Sequence, residues 1–141
     1  MMTKFTVYGK PETKGSTRAF IRGGRAITTN DNPKTKAWQT LVSWAAQEHR
    51  PKEPYRAAAV ILSFYFPRPK SVSPKRRPFH TVKPDIDKLT RASLDGLSGI
   101  IYTDDAVVTR LDVSKDYGVP TRCEIEVREI ATHSPDISKA D

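Results

Sequence analysis

A run of ten residues, Ala57 to Phe66 (AAAVILSFYF), is apolar at nearly every position. Its β-branched and aromatic residues favour a strand, and the lack of polar alternation is typical of a strand that is covered on both faces. A strand of that kind lies in the interior of a sheet. The run therefore predicts a fold built around a sheet, with this segment as its central strand.

Shorter strands are predicted on both sides of this run. Apolar and polar residues alternate in three segments, which is the pattern of a half-buried strand: residues 4–8, 107–113 and 122–128. Gly23-Gly24 separates two further apolar stretches and predicts a β-hairpin.

Two helices are also predicted. The first begins at Asn32-Pro33, because asparagine is a good N-cap and proline suits the first helical position, and it ends before Pro51. Trp38 lies in its apolar stripe, so we expect this side chain in the core and not stacked on a nucleic-acid base. The second helix is predicted over residues 86–97.

These elements predict a small single-domain mixed α/β (α+β) fold over residues 1–130. Their order is strand, hairpin, helix, central strand, long loop, helix and two antiparallel strands. Residues 131–141 are polar and predict a flexible C-terminal tail.

An excess of basic residues favours a polyanionic partner. The chain has 24 Lys and Arg against 16 Asp and Glu, a formal net charge of +8, which suits nucleic acid first and an anionic membrane surface second. Its single cysteine, Cys123, excludes an internal disulfide and favours a cytoplasmic protein. No apolar stretch approaches the ~20 residues of a membrane span, and the first residues lack the apolar segment of a signal peptide, so no membrane association is expected.

Two segments, residues 9–29 and 67–84, concentrate the positive charge. The second contains five prolines and no acidic residue, so it predicts a long loop, where His80 is expected to be exposed. The alternative is that both segments are merely solvated. We predict that their cations contact DNA phosphates: Lys14, Arg18, Arg22, Arg25, Lys75, Arg76, Arg77 and Lys83.

Five aspartates fall between residues 82 and 105. Asp85 and Asp87 stand at the start of the second helix, and Asp105 precedes the next strand, so the three converge if that strand lies beside the helix start. Clustered carboxylates repel unless a cation neutralises them, and their hard oxygen atoms suit Mg²⁺ or Mn²⁺. Such a metal beside basic loops is suited to phosphodiester hydrolysis, with Arg91, one turn after Asp87, stabilising the developing charge.

Each of these residues also has a structural interpretation. Asp85 is a good N-cap, Asp87 complements the helix dipole and is spaced to pair with Arg91, and Asp104-Asp105 suits a turn. Tyr102, beside them, fits the core better than a wedge between bases. Their joint position between a basic loop and a core strand is what favours a catalytic site.

The segment KPDIDKLTRASLDGLSGIIYTDDAVV resembles the signature of the RusA family of Holliday junction resolvases. That signature is approximately P-D-x-D-N-L-x-K-x-x-x-D-A-L-x-G, followed after a short gap by D-D and a strand. The stretch VYGKPETKGSTRAFIRGGRAITT is similar to the basic N-terminal segment of the family. The resemblance thus covers most of residues 3–130.

The resemblance implies that Asp85, Asp87 and Asp105 are the catalytic, metal-binding carboxylates. It also implies supporting roles for Asp104 and for Asp95 in the helix.

Two positions depart from the signature. Arg91 stands where the family has lysine, which keeps the charge but makes proton donation difficult. Lys88 replaces an asparagine and is expected to point to DNA.

The resemblance further implies a Mg²⁺-dependent endodeoxyribonuclease, with Mn²⁺ as a substitute, that resolves four-way junctions by paired symmetric nicks in recombination and repair. A homodimer is implied too, because an isologous dimer presents two identical sites to a junction of approximate two-fold symmetry. The resemblance implies that the protein acts in a bacterial cytoplasm or nucleoid, and a phage gene as its source stays open. Three alternatives also stay open: a non-catalytic module that binds branched DNA, a nuclease acting on flaps or forks, and an RNA substrate.

Overall fold

The structure is a computed structural model that describes residues 1–15, 18–29 and 32–131, with the backbone alone described in residues 18–22 and 25–29. The strands are β1 Met2–Tyr8, β2 Arg18–Arg22, β3 Arg25–Thr29, β4 Ala58–Phe66, β5 Val108–Tyr117 and β6 Arg122–Glu129. The helices are α1 Pro33–Glu48 and α2 Ile86–Leu97, and a 3-10 turn at Asp105–Val107 precedes β5. The predicted small mixed α+β domain is confirmed. The tail was predicted over residues 131–141, and residues 132–141 lie outside the described part of the chain.

Four of the strands form a mixed sheet in the order β1-β6-β4-β5. β4 pairs antiparallel with β6 and parallel with β5, so its predicted interior position is confirmed. β5 and β6 run in opposite directions, as expected, but β4 lies between them and they are not neighbours.

The two faces of β4 differ in how deeply their side chains are buried. Its residues alternate strictly between buried and half-buried, and the buried set joins Trp38 and Leu89 in the core. The predicted cover on both faces is therefore complete on one face and partial on the other, because an antiparallel neighbour allows one face of a sheet to stay partly solvated. On that outer face the Arg122 guanidinium lies 4.1 Å from the centre of the Tyr65 ring, so long charged side chains give partial cover.

The β2–β3 pair forms a separate two-stranded hairpin, as predicted. Gly23 and Gly24 connect the strands with φ angles of 61° and 78°, values that glycine adopts without steric cost and that a tight hairpin turn requires.

The helices begin where the sequence predicts and pack closely against each other. The Asn32 side chain caps α1 by accepting from the Lys34 backbone N–H at 2.9 Å. Trp38 is 1% exposed, and its Nε1 donates to Ser93 Oγ of α2 at 3.1 Å, which confirms its core position. At Gly96 a Cβ atom would lie 2.8 Å from Val42, so only glycine allows α1 and α2 to approach this closely. Among the described residues, no helix has the length and apolar character to cross a membrane.

Candidate active site

Asp85 and Asp87 are exposed at the start of α2. Asp85 is the N-cap residue by position, yet its side chain makes no capping hydrogen bond. Instead its Oδ2 accepts from Lys88 Nζ at 3.1 Å. Helix capping therefore does not account for Asp85. In the described part of the chain, Asp87 and Arg91 form no ion pair.

A second group of acidic side chains lies deeper, between α2 and the turn that precedes β5. The carboxyl groups of Asp95 and Asp105 lie close enough to interact, and Asp105 Oδ1 accepts from the Tyr102 hydroxyl at 3.3 Å. Burial, together with the hydrogen bond and charge of Asp95, raises the pKa of Asp105. Two carboxylates this close repel each other when both are charged, so a nearby cation stabilises the group.

Asp95 is also held from the N-terminal segment and from α1. Lys14 Nζ forms an ion pair with Asp95 Oδ2, and Gln39 Nε2 donates to the same oxygen at 3.4 Å. The Lys14 backbone N–H donates to the Lys88 carbonyl at 3.0 Å, so this segment lies across α2. A phosphate contact by Lys14 would compete with the ion pair and stays a prediction.

Arg91 is exposed on α2 and lies against the backbone of Gly15. A Cβ atom at Gly15 would be 2.7 Å from Arg91 Nη1, and the φ of +128° at Gly15 is a conformation that favours glycine. Gly15 thus leaves the space that the Arg91 guanidinium occupies.

The three aspartates predicted as metal ligands are not gathered around one point. In the part of the chain that the structure describes, no three His, Cys, Asp or Glu side chains are grouped so that they could hold a metal ion. Asp85 contacts Lys88, whereas Asp105 contacts Asp95 and Tyr102. The shared metal site stays a prediction. The chemistry of the donors suits Mg²⁺, which commonly uses one or two carboxylates and completes its shell with water and substrate phosphate.

A cleft of about 390 Å³ opens between the N-terminal segment and the start of α2. Its charged lining consists of three lysines, Lys10, Lys83 and Lys88, and two carboxylates, Asp85 and Glu12. Glu12 pairs with Lys10 at 3.9 Å, so the lysines exceed the acids by one. An anionic group in this cleft would contact lysine side chains. It would also lie beside Asp85, which we predict to be a metal ligand.

His80 fixes the basic loop, residues 67–84, against the end of the sheet. It is only 7% exposed and lies between Phe66 and Tyr117, with ring centroids 4.9 and 5.0 Å away. The expectation of an exposed His80 was wrong, because these rings come from strand ends that the local proline-rich sequence does not reveal. Burial, then the charge of Lys115, lowers the pKa of His80, and its Nδ1 has no hydrogen-bond partner among the described residues.

Further contacts hold the rest of the loop. Lys115 Nζ donates to the carbonyls of Val82 and Pro84 at 2.6 and 2.9 Å, just before Asp85. Arg77 is half-buried, and its Nη1 donates to the Tyr117 hydroxyl at 3.2 Å. The predicted phosphate contacts that remain exposed in this loop are Lys75, Arg76 and Lys83. The side chains of Arg18, Arg22 and Arg25 lie outside the described part of the chain.

Two neighbours of the aspartates have clear structural roles. Tyr102 is 0% exposed and its hydroxyl donates to the Leu94 carbonyl at 2.7 Å, so the core interpretation is confirmed and a base wedge is excluded. Asp104 Oδ2 accepts from the Ala106 backbone N–H at 3.3 Å and thereby caps the turn that carries Asp105.

Sequence reasoning missed the partners of these aspartates. The i,i+3 spacing of Asp85 and Lys88 is a local signal that could have indicated their ion pair. By contrast, no sequence pattern links Lys14 to Asp95, which are 81 residues apart.

Comparison with known proteins agrees with the aspartate motif. Residues 9–128 match the family described as endodeoxyribonuclease RusA, a segment that includes α2, the basic loop and Asp105. The chain is also 35% identical over 138 residues to the uncharacterized protein YqaN of Bacillus subtilis (strain 168), a match that covers 91% of this chain and 96% of that protein. The chain therefore belongs to the RusA endodeoxyribonuclease family.

Proposed function

We propose that the protein is a metal-dependent endodeoxyribonuclease that resolves four-way DNA junctions by paired symmetric nicks. The observation that carries this proposal is the exposed pair Asp85 and Asp87 at the start of α2, of which Asp85 makes no capping bond. The family supports the nuclease activity, whereas the preference for junctions rests on the resemblance of the motif.

In this proposal Asp85, Asp87 and Asp105 hold Mg²⁺, or Mn²⁺ in its place. When bound, the metal would polarise the scissile phosphate and activate water. Asp105 must then turn away from Asp95. The ion pair with Lys14 favours this movement, because it compensates the charge that remains on Asp95.

Arg91 has an electrostatic role in the proposal. It lies on α2 one turn after Asp87, and the planar guanidinium of arginine suits electrostatic contact with phosphate. It would therefore stabilise negative charge on the phosphate and would not donate a proton to the leaving oxygen.

Phosphates of the DNA would contact the exposed cations of the basic loop and of the cleft. Lys75, Arg76 and Lys83 are exposed, and Lys10 and Lys88 line the cleft beside Asp85. The hairpin residues Arg18, Arg22 and Arg25 belong to the same proposal on sequence grounds. Binding of this kind weakens steeply with salt, because each phosphate contact releases counterions.

Two nicks at symmetric positions need two sites, so we further propose a homodimer whose two-fold axis coincides with that of the junction. Its place of action would be a bacterial cytoplasm or nucleoid.

The direct test incubates a four-way junction, labelled on each strand in turn, with Mg²⁺, Mn²⁺ or EDTA. We expect nicks at symmetric positions in opposing strands with either metal and none with EDTA. Junction binding without nicking would instead identify a non-catalytic binding module. Equal cleavage of flaps or forks of the same length would contradict the junction preference and keep the nuclease assignment.

A further inference from the structure

Lys88 neutralises a carboxylate that the proposed metal site needs. Its Nζ lies 3.1 Å from Asp85 Oδ2, and the two side chains are 35% and 48% exposed. The ion pair is therefore open to solvent on one side, where a competing ion can reach it. Lysine stands here where the signature quoted above has asparagine.

The backbone of Lys88 is held by its surroundings, whereas the end of its side chain is partly exposed. Its carbonyl accepts from the Lys14 backbone N–H at 3.0 Å, and its Cγ packs 3.7 Å from the point where a Cβ of Gly15 would lie. Lys88 and Asp85 both line the cleft, which Lys10, Lys83 and Glu12 also line. A phosphate in the cleft would offer the Lys88 ammonium a second anionic partner.

We propose that Lys88 acts as a tethered counter-ion that keeps the metal site at the start of α2 weak until DNA is bound. Without DNA, the ammonium on Asp85 repels an incoming divalent cation. With DNA, a backbone phosphate in the cleft draws Lys88 away, and Asp85 becomes free to bind the metal. This inference rests on the proposed function, because it requires Asp85 to be a metal ligand.

The expected size follows from the charges involved. A single positive charge about 5 Å from a divalent ion at a solvated surface weakens binding roughly tenfold. Linkage makes the effect reciprocal, so DNA and metal raise each other's affinity by the same factor. Removal of Lys88 should therefore tighten metal binding and also reduce this mutual enhancement.

The test measures Mn²⁺ binding by calorimetry to the full chain without DNA. Lys88→Gln keeps the side-chain length and helix propensity but removes the charge, and we expect its Kd for Mn²⁺ to fall about tenfold. Lys88→Arg keeps the charge and should stay within about twofold of the wild type. Lys4→Gln is a matched control for net charge, because Lys4 is an exposed lysine that lies opposite Glu126 on the neighbouring strand.

A second readout uses junction affinity with Ca²⁺ and with EDTA. We expect Ca²⁺ to tighten junction binding by the wild type more than by Lys88→Gln. Circular dichroism of each variant verifies that the helix content is unchanged.

Failure of this inference is distinguishable from failure of the proposed site. If Asp85→Asn weakens Mn²⁺ binding while Lys88→Gln equals the wild type, Lys88 does not control a site that nevertheless exists. If neither variant alters Mn²⁺ binding, or if Lys88→Gln binds no Mn²⁺ at millimolar concentration, the inference is overturned. Cleavage by Asp85→Asn at the wild-type rate would overturn the proposed ligand as well.

Discussion

The two pairs of aspartates around α2 are the same residue type in the same motif, but the fold treats them differently. Asp85 and Asp87 are exposed, and the contact of Asp85 is with a lysine on the solvated surface. Asp95 and Asp105 lie deeper and contact each other, Tyr102 and Lys14. The outer pair can accept a cation by displacing Lys88 at the solvated surface, whereas the inner pair must exchange partners that lie deeper in the fold.

The largest effect is expected from the outer pair. Asp87→Asn and Asp85→Asn should each reduce cleavage by on the order of a thousandfold, since metal-assisted charge stabilisation contributes several kcal/mol. Junction affinity should be equal or tighter, because a negative charge leaves the DNA-facing surface. Strand-specific nicking and gel-shift assays measure the two properties. Persistent nicking by Asp87→Asn would contradict the catalytic role of the outer pair.

The exposed cations of the basic loop should control binding and not chemistry. Lys75→Ala combined with Arg76→Ala should weaken junction binding and reduce the slope of log affinity against log salt by about 2, close to one unit per lost phosphate contact. Titration of a labelled junction at rising KCl measures the slope, with Lys4→Ala as the control at a remote exposed lysine. An unchanged slope would remove both side chains from the DNA interface.

The buried Tyr102 hydroxyl beside the inner pair should matter more for stability than for activity. Tyr102→Phe deletes a buried hydroxyl that donates to the Leu94 carbonyl and lies 3.3 Å from Asp105 Oδ1, and we expect a loss of about 1 kcal/mol in the free energy of unfolding. Urea denaturation measures this loss, and cleavage should fall less than threefold. A loss of cleavage comparable with that of Asp87→Asn would show that the inner contacts are essential to the chemistry.

The smallest effect concerns His80, an ionisable group buried without a charged partner in contact. Burial lowers the pKa of His80, so the unfolded chain binds a proton at this residue more readily than the folded chain does. Neutral His80 therefore contributes fully to the free energy of unfolding above pH ~6.5, and this contribution is lost as the pH falls below that value. His80→Phe, which fits between Phe66 and Tyr117, should show a smaller loss of stability between pH 7 and pH 5 than the wild type. Parallel stability curves for the two proteins would contradict this assignment.

Much of the fold was predictable because its signals are local. The alternation in β1 and β6, the Asn32-Pro33 start of α1 and the paired glycines of the hairpin each act within a few residues. The cover of β4 was not predictable in the same way, because Arg122, which covers Tyr65, belongs to another strand.

The candidate site was predictable in its residues and less so in its contacts. The spacing of Asp85 and Asp87 before an amphipathic helix indicated the exposed pair. The contact between Asp95 and Asp105 depends on how the turn before β5 docks on α2, and the burial of His80 depends on rings from the ends of two strands. Such contacts are set by tertiary packing, to which periodicity and capping rules do not extend.

The most direct test of the central claim is the anomalous difference density of crystals soaked in Mn²⁺, with and without bound junction DNA. We expect a peak about 2.1 Å from carboxylate oxygens of Asp85, Asp87 and Asp105, stronger when DNA is present. A peak confined to other residues, or no peak in crystals of a protein that nicks junctions with Mn²⁺, would contradict the claim.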